Sequence, residues 1–181
     1  MKAIRIHFTD NGDELRMEEV PQPDPKADEV LIRAQAIGVN RAHLNRRRTA
    51  APGDQEPPRI PGLDVAGVVA SAGANMTNWH PGDQVMALVR GAYAEYSVAP
   101  AVLTFRPPAG MSTTDAASLP CVFLTAWYAF QMAGLKPGET ALIHAAGSGV
   151  GITGWLPGTR GRSAPAGLAK ELQCATPREC R

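Results

Sequence analysis

Residues 139–151 combine a short apolar segment with a turn of small residues. Thr140 to Ala145 is a compact apolar run that predicts a buried strand, and it leads into Ala146-Gly147-Ser148-Gly149-Val150-Gly151. This turn corresponds to G-x-G-x-x-G with Ala at the first glycine and Ser at the second, so the backbone could approach a pyrophosphate closely. The predicted chemistry is binding of a dinucleotide phosphate. A glycine-rich turn needed only for packing is the alternative, and the loop alone does not decide between them.

Asn40 is a second residue that could do chemistry. It precedes a segment that predicts a short helix, so its side chain can cap the helix N-terminus. The three cysteines are few, odd in number and without C-x-x-C spacing, which argues against a disulfide framework or a zinc cluster. No metal site is therefore predicted. His144 stands at the end of the predicted strand, where a packed or hydrogen-bonded histidine is expected.

The whole chain has the composition of a soluble globular protein. It has 181 residues, of which 44% are hydrophobic and 19% charged, and its formal net charge is +1. This balance creates no field that would attract nucleic acid or an anionic membrane, and neither partner is predicted. The N-terminus shows no signal peptide, and no apolar run approaches the roughly 20 residues that span a bilayer. A cytoplasmic location is expected.

Residues 1–107 predict a mostly β domain. Short apolar alternations are separated by Pro, Gly, Asp and Asn residues. Six or more short strands favour a closed or partly closed barrel, because closure leaves no exposed edge. The predicted strands are Lys2 to Ile6, Leu15 to Val20, Glu29 to Ala36, Val65 to Ala70, Gln84 to Leu88 and Ala92 to Val98.

Residues 108–151 predict the start of an α/β domain. Ser112 and Asp115 have capping-box spacing and open an apolar segment that ends at Gly134. Pro120 lies inside this segment and predicts a short first helix or a kink. The strand and the glycine-rich turn follow, as they would in a buried parallel sheet.

Residues 152–181 depart from this pattern. A phosphate-binding turn should be followed by an amphipathic helix, because the helix N-terminus supplies the N–H groups and the positive end of the dipole. Pro157 and the nearby glycines oppose a sustained helix, so an irregular, mostly disordered tail is predicted. The abrupt change at Ile152 suggests a reading-frame shift in the coding sequence. Translation of the neighbouring DNA in the other frames would test this hypothesis.

Several linked motifs resemble the medium-chain dehydrogenase/reductase superfamily, and within it the zinc-free quinone oxidoreductase (zeta-crystallin-like) branch. The resemblance covers about residues 1–151, after which the chain is expected to be truncated or frameshifted. The motifs, in order, are Gly38-Val39-Asn40-Arg41, Pro61-Gly62-Leu63-Asp64-Val65-Ala66-Gly67-Val68-Val69, Gly82-Asp83-Gln84-Val85, Gly91-Ala92-Tyr93-Ala94-Glu95-Tyr96, Leu124-Thr125-Ala126-Trp127-Tyr128, Lys136-Pro137-Gly138-Glu139 and His144 to Gly151.

The resemblance implies a mostly β, GroES-like barrel domain followed by the first helix, strand and glycine-rich turn of an incomplete α/β Rossmann domain. It also implies NADPH as cofactor, a quinone or enone substrate, and the option of a homodimer for a complete family member. Zinc alcohol dehydrogenases carry cysteine at the position of Asn40 and Gly-His-Glu at that of Gly62-Leu63-Asp64. Because neither ligand set is present, the expectation is an enzyme without zinc.

The resemblance also assigns roles to individual residues. Asn40 matches an amide near the nicotinamide, which would donate to cofactor or substrate, and this stands beside its interpretation as a helix cap. Thr125 matches a threonine that contacts the cofactor; the alternative is a helix-interior hydroxyl bonded to the preceding turn. Ala146, Gly147, Ser148, Gly149, Val150 and Gly151 match the cofactor-binding turn. His43 stands where relatives often carry an acid.

Two functions therefore follow from the sequence. The first is an NADPH-dependent, zinc-independent quinone oxidoreductase, inactive or impaired in this chain because the expected cofactor domain is incomplete. The second is a non-catalytic GroES-like module or inactive fragment. An exposed apolar helix around Phe123 to Phe130 would then seek a partner or aggregate.

Overall fold

The computed structural model describes residues 1–9, 12–44, 59–136, 139 and 141–155. The chain forms two compact units, Met1–Cys121 and Val122–Arg181. The predicted boundaries at residues 107 and 151 remain predictions. No helix in the described ranges is long and apolar enough to cross a lipid bilayer.

The chain begins with an antiparallel hairpin of two strands, β1 (Lys2–Thr9) and β2 (Gly12–Glu19). Both strands were predicted, and the turn at residues 10 and 11 lies outside the described residues. Ala3 and Ile6 of β1 are buried, at 3% and 2% exposure. Because these two residues are three positions apart in a strand, they point to opposite faces, so β1 buries one side chain on each face.

Five further strands form one antiparallel sheet in the order β6-β3-β4-β5-β7. Its core consists of small and β-branched residues, with Val30, Ile32 and Val65 at 0% exposure. The hairpin and this sheet confirm the predicted mostly β domain. The strands are β3 (Glu29–Gly38), β4 (Asp64–Ala72), β5 (Gln84–Leu88), β6 (Tyr96–Pro100) and β7 (Thr104–Phe105), with a 3₁₀ helix at Ala101–Leu103 between the last two.

The strand predicted at Ala92 to Val98 lies later in the chain, at Tyr96–Pro100. Some backbone groups of the residues before it bond to the hairpin. Ile4 donates its N–H to the Tyr93 carbonyl at 2.8 Å, and Glu95 donates to the Lys2 carbonyl at 3.0 Å. Because these backbone groups bond to β1, they are not available for the ladder between β6 and β3.

Two helices follow the sheet, α1 (Thr113–Ala116) and α2 (Pro120–Met132). Ser112 caps α1 as predicted, since its hydroxyl oxygen accepts the N–H of Asp115 at 3.1 Å. Pro120 separates the helices and begins α2, where the missing proline N–H costs nothing.

In the second unit, α2 ends at a glycine, as predicted. Gly134 has φ +64°, its N–H donates to the Gln131 carbonyl, and the N–H of Leu135 donates to the Phe130 carbonyl. This paired arrangement is a Schellman motif, which satisfies carbonyls in the last turn of the helix.

The segment that precedes the glycine-rich turn differs from the prediction. Residues 141–143 belong to no strand, and residues 144–147 form a turn. A strand requires a neighbouring strand to bond to, and residues 141–143 have none among the described residues. The prediction of a strand from Thr140 to Ala145 is therefore wrong for residues 141–145.

The turn leads into a short helix, α3 (Gly149–Trp155). The prediction of an irregular tail from residue 152 is thus corrected for residues 152–155. Ile152 donates its N–H to the Ser148 carbonyl at 2.8 Å, and Pro157 lies too far along to interrupt these first turns. The remainder of the predicted tail lies outside the described residues.

Candidate functional site

Asp64, the first residue of β4, holds a buried carboxylate that joins three parts of the first unit. Its side chain is 1% exposed. The Asn40 side-chain nitrogen, Nδ2, donates to Oδ2 of Asp64 at 2.6 Å, and the backbone N–H of Cys121 donates to Oδ1 at 2.7 Å. The carboxylate thus links the loop after β3 to the first turn of α2.

Close approach of these elements requires glycine at position 38. Gly38 pairs with Asp64 in the register of β3 and β4. A Cβ atom on Gly38 would lie 2.5 Å from the Ala117 carbonyl oxygen and 2.7 Å from Cβ of Asp64. Any larger residue would push these neighbours apart, so the Gly38-Val39-Asn40 motif has a packing reason independent of any ligand.

Burial and hydrogen bonding act in opposite directions on Asp64. Burial raises the pKa of this carboxyl group, while the Asn40 amide, the Cys121 N–H and the nearby His43 lower it; the net direction is upward. Transfer of a carboxylate out of water disfavours its charged form, and donated hydrogen bonds compensate only in part. Asp64 therefore binds its proton more tightly than an ordinary aspartate.

Asn40 also contacts His43 through its backbone. Residues 42–44 are helical, which confirms the predicted helix start. The N–H of Asn40 donates to Nδ1 of His43 at 3.3 Å, and the His43 N–H donates to the Asn40 carbonyl at 3.0 Å. His43 thus supplies the capping contact, and the Asn40 side chain is committed to Asp64 rather than to the helix.

His43 is buried against Tyr93. The Tyr93 hydroxyl lies 2.8 Å from Nδ1 of His43, and the two rings meet edge to face at 5.3 Å between centroids. Because Nδ1 accepts the N–H of Asn40, it carries no proton in the neutral ring, so the tyrosine hydroxyl donates to it. Burial and the negative charge of Asp64 raise the pKa of Tyr93 and keep this hydroxyl protonated.

His43 lies at the wall of a cleft of about 860 Å³ in the first unit. The cleft is also lined by residues of β1 and of the segments before β4 and before β6. Among them are Arg5, Arg59, Gly62, Arg90 and Gly91. The volume is that of a small-molecule site.

In the second unit, the glycine-rich turn is packed around Gly151. Gly151 is buried, and a Cβ atom there would lie 2.2 Å from the Ala145 carbonyl oxygen. Gly147, by contrast, faces open space. The final glycine of the motif therefore allows the helix to pack closely on the preceding backbone, as dinucleotide-binding turns require.

Ser148 caps the helix that follows the turn. Its hydroxyl oxygen accepts the N–H of Gly151 at 3.0 Å. The N–H groups of Gly149 and Val150 make no hydrogen bond within the described residues, and both residues are exposed. These two N–H groups could receive a phosphate oxygen, while that of Gly151 is already engaged.

The remaining candidate residues are less constrained. Thr125 is exposed on α2, and its hydroxyl has no hydrogen-bond partner in the described ranges. His144 is exposed in the turn before Ser148. Asn40 belongs to the first unit, whereas Thr125 and Ala146 to Gly151 belong to the second. The roles of these residues in catalysis and cofactor binding remain predictions.

No sequence pattern predicts that Asp64 binds Asn40 or that Tyr93 binds His43. Both tyrosine and aspartate lie in motifs that were identified, but their partners are distant along the chain. Where residues are described, no three His, Cys, Asp or Glu side chains come together as metal ligands would.

Comparison with known proteins identifies the family. The alcohol dehydrogenase GroES-like domain matches residues 26–109. A Mus musculus protein, synaptic vesicle membrane protein VAT-1 homolog-like, is 33% identical over 153 residues, which are 83% of this chain and 37% of that protein. The quinone oxidoreductase of Lama guanicoe is 33% identical over 156 residues, which are 84% of this chain and 47% of that protein.

A solved structure extends the similarity beyond the β domain. Mycobacterial Rv1454c complexed with NADPH has a TM-score of 0.71 and 36% identity, over 86% of this chain and 48% of that one. The chain thus spans about half or less of the length of these relatives. On the strength of these matches, the chain belongs to the medium-chain dehydrogenase/reductase superfamily, in its quinone oxidoreductase branch.

Proposed function

We propose that this chain is the GroES-like domain and the opening of the cofactor domain of an NADPH-dependent, zinc-independent quinone oxidoreductase. One observation carries the proposal. Gly151 has no room for a side chain, and beside it two exposed backbone N–H groups, those of Gly149 and Val150, are unbonded within the described residues. A turn built in this way suits a dinucleotide phosphate. The similarity to an NADPH complex over 86% of the chain supports the choice of cofactor.

The residues present fit such a cofactor in part. Ala146 to Gly151 would hold a phosphate, and Asn40 would hydrogen-bond the nicotinamide or the acceptor carbonyl. NADPH, when bound, would supply the hydride, and a quinone or conjugated carbonyl would accept it. The protein's own contribution is to orient cofactor and acceptor.

The donor set around Asn40 supports a function without zinc. Positions that supply a thiolate and an imidazole in zinc alcohol dehydrogenases hold Asn40 and Leu63. Amide and alkyl side chains are poor zinc ligands. Asp64 already accepts two N–H donors, one at each carboxylate oxygen. An acceptor that is already electron-poor would need no metal to polarise it.

A second function, a non-catalytic GroES-like module, is favoured by the surface of α2. Trp127, Tyr128 and Met132 are 57%, 61% and 70% exposed. Large apolar side chains clustered on one helix favour contact with a partner over function as a solitary enzyme.

Fluorescence titration of the 181-residue chain with NADPH separates the two functions. Saturable binding in the micromolar range, followed by turnover of a quinone, supports the enzyme. Binding without turnover supports a cofactor site in an inactive or impaired chain. The absence of binding at millimolar NADPH would rule out the cofactor site and leave the module.

A further inference from the structure

We infer that Asp64 is a positioning residue that fixes which way the Asn40 amide faces. The inference rests on the proposed function only for the role of Asn40 toward cofactor or acceptor. The orientation itself follows from the contacts of the first unit. An asparagine side chain has a donating end and an accepting end, and a site that uses it must distinguish them.

An ionised carboxylate distinguishes these two ends. It accepts hydrogen bonds and cannot donate them. With Asn40 Nδ2 at 2.6 Å from Asp64 Oδ2, the nitrogen must face the carboxylate and Oδ1 of Asn40 must face away. The amide then presents one acceptor and one remaining N–H to an approaching molecule. The opposite orientation would place two oxygen acceptors against each other.

The carboxylate is itself held in one orientation. Its second oxygen accepts the N–H of Cys121 at 2.7 Å, in the first turn of the 13-residue helix α2. The positive end of a helix dipole favours an anion at this position. Gly38 brings β3 close enough for both contacts. Asp64 is thus fixed at both oxygens, and rotation of Asn40 would break a charge-assisted hydrogen bond.

Protonation of Asp64 should remove this preference for one orientation of the Asn40 amide. A neutral carboxyl group can donate as well as accept, so both amide orientations become acceptable. Among the described residues, His43 favours the charged form of Asp64, and Asp64 in turn opposes the ionisation of Tyr93. The orientation of Asn40 should therefore be unique above the raised pKa of Asp64 and lost below it.

The test observes the side-chain amide of Asn40 by ¹⁵N NMR in the full chain, with its resonance identified by its loss in Asn40→Ala. Asp64→Asn should shift the Asn40 resonance. The chain offers a matched control, because Asn75 Nδ2 donates to Asp28 Oδ1 at 2.8 Å on the surface. Asp28→Asn should shift Asn75 and leave Asn40 unchanged. An Asn40 resonance that is indifferent to Asp64→Asn overturns the inference.

Titration of the unmutated chain gives a second measurement that does not depend on folding of a variant. The chemical shift of the Asn40 side-chain amide should follow a single ionisation, with a midpoint above the range of ordinary aspartates. An Asn40 signal that shows no change from neutral pH down to the acid limit of folding contradicts the inference.

NADPH affinity then separates this inference from the proposed function. As a single substitution, Asp64→Asn should weaken NADPH binding at least fivefold. In a chain that already carries Asn40→Ala, it should have no further effect. An equal loss in both backgrounds means that Asp64 acts by another route and overturns the inference. If the unmutated chain does not bind NADPH, the proposed function fails, and the NMR measurements alone decide the orientation of Asn40.

Discussion

The Tyr93 hydroxyl lies 2.8 Å from Nδ1 of His43, although the two residues are 50 positions apart. This hydrogen bond connects the segment before β6 to the helical residues that follow Asn40. It fixes the imidazole, which in turn accepts the backbone N–H of Asn40. The loop that carries Asn40 is therefore held from two sides, by Tyr93 through His43 and by Asp64 through the side-chain amide.

Tyr93→Phe tests the first of these supports. The substitution keeps the edge-to-face ring contact and removes only the hydroxyl, so it should lower the free energy of unfolding by about 1 kcal/mol. Tyr96→Phe is the matched control, because the Tyr96 hydroxyl makes no hydrogen bond within the described residues. Its effect should be below about 0.5 kcal/mol in urea unfolding. Equal effects of the two substitutions would show that the Tyr93 hydroxyl does not stabilise the loop.

Gly38→Ala tests the close packing behind Asp64. A Cβ at 2.5 Å from the Ala117 carbonyl oxygen cannot be accommodated without backbone movement, so we expect a loss of about 1–3 kcal/mol. Val39→Ala, at a neighbouring side chain that is 82% exposed, should cost less than about 0.5 kcal/mol. Thermal unfolding of both variants measures the difference. A Gly38→Ala protein as stable as the unmutated chain would mean that β3, β4 and α1 are less tightly packed than the structure shows.

Local sequence patterns predicted the contacts that are local. Ser112 and Asp115 are three positions apart, and the cap between them follows from side-chain chemistry that needs no tertiary fold. Gly134 ends α2 for a similar reason, because few other residues adopt its positive φ at low cost. The alternation within β5 likewise matches its burial, since Val85 and Ala87 are buried and Met86 and Leu88 are less so.

The same local patterns do not predict contacts between residues that are distant along the chain. The hydrogen bonds of Asp64 to Asn40 and Cys121 span 24 and 57 positions. They form only because β3 pairs with β4 and because the first turn of α2 lies beside Asp64. An apolar run such as residues 141–145 forms a strand only if another strand lies beside it. The same composition is also compatible with a segment that makes no hydrogen bonds to a neighbouring strand.

Gly151→Ala tests the glycine-rich turn. A Cβ at 2.2 Å from the Ala145 carbonyl oxygen should separate α3 from the turn, expose the amides of residues 149–155 to hydrogen exchange, and weaken NADPH binding at least tenfold. Gly147→Ala is the control for folding, since the space around Gly147 is open and its hydrogen exchange should be unchanged. Unchanged exchange in Gly151→Ala would contradict the packing requirement. Unchanged NADPH affinity in a disrupted turn would place the cofactor elsewhere.

The buried carboxyl group of Asp64 should give the stability of the fold a distinctive pH dependence. Its pKa is raised in the folded state, so the folded protein binds this proton more tightly than the unfolded chain does. An unfolded aspartate titrates at about pH 4. Between that pH and the raised pKa of the folded state, the contribution of Asp64 to the free energy of unfolding must therefore fall as pH rises. The stability of the unmutated chain relative to Asp64→Asn should decrease with pH across this window, as measured by urea unfolding.

Asp83 supplies the control of opposite sign. Its carboxylate accepts the N–H of His80 at 3.1 Å and a guanidinium N–H of Arg106 at 3.2 Å, and these contacts lower its pKa. Stability relative to Asp83→Asn should therefore be lost as pH falls below about 4 through the lowered value. Opposite slopes for the two substitutions would separate the cost of burying the Asp64 charge from the benefit of pairing the Asp83 charge. If both slopes had the same sign, Asp64 would be better solvated than its 1% exposure implies, and it would not hold its proton above the ordinary range.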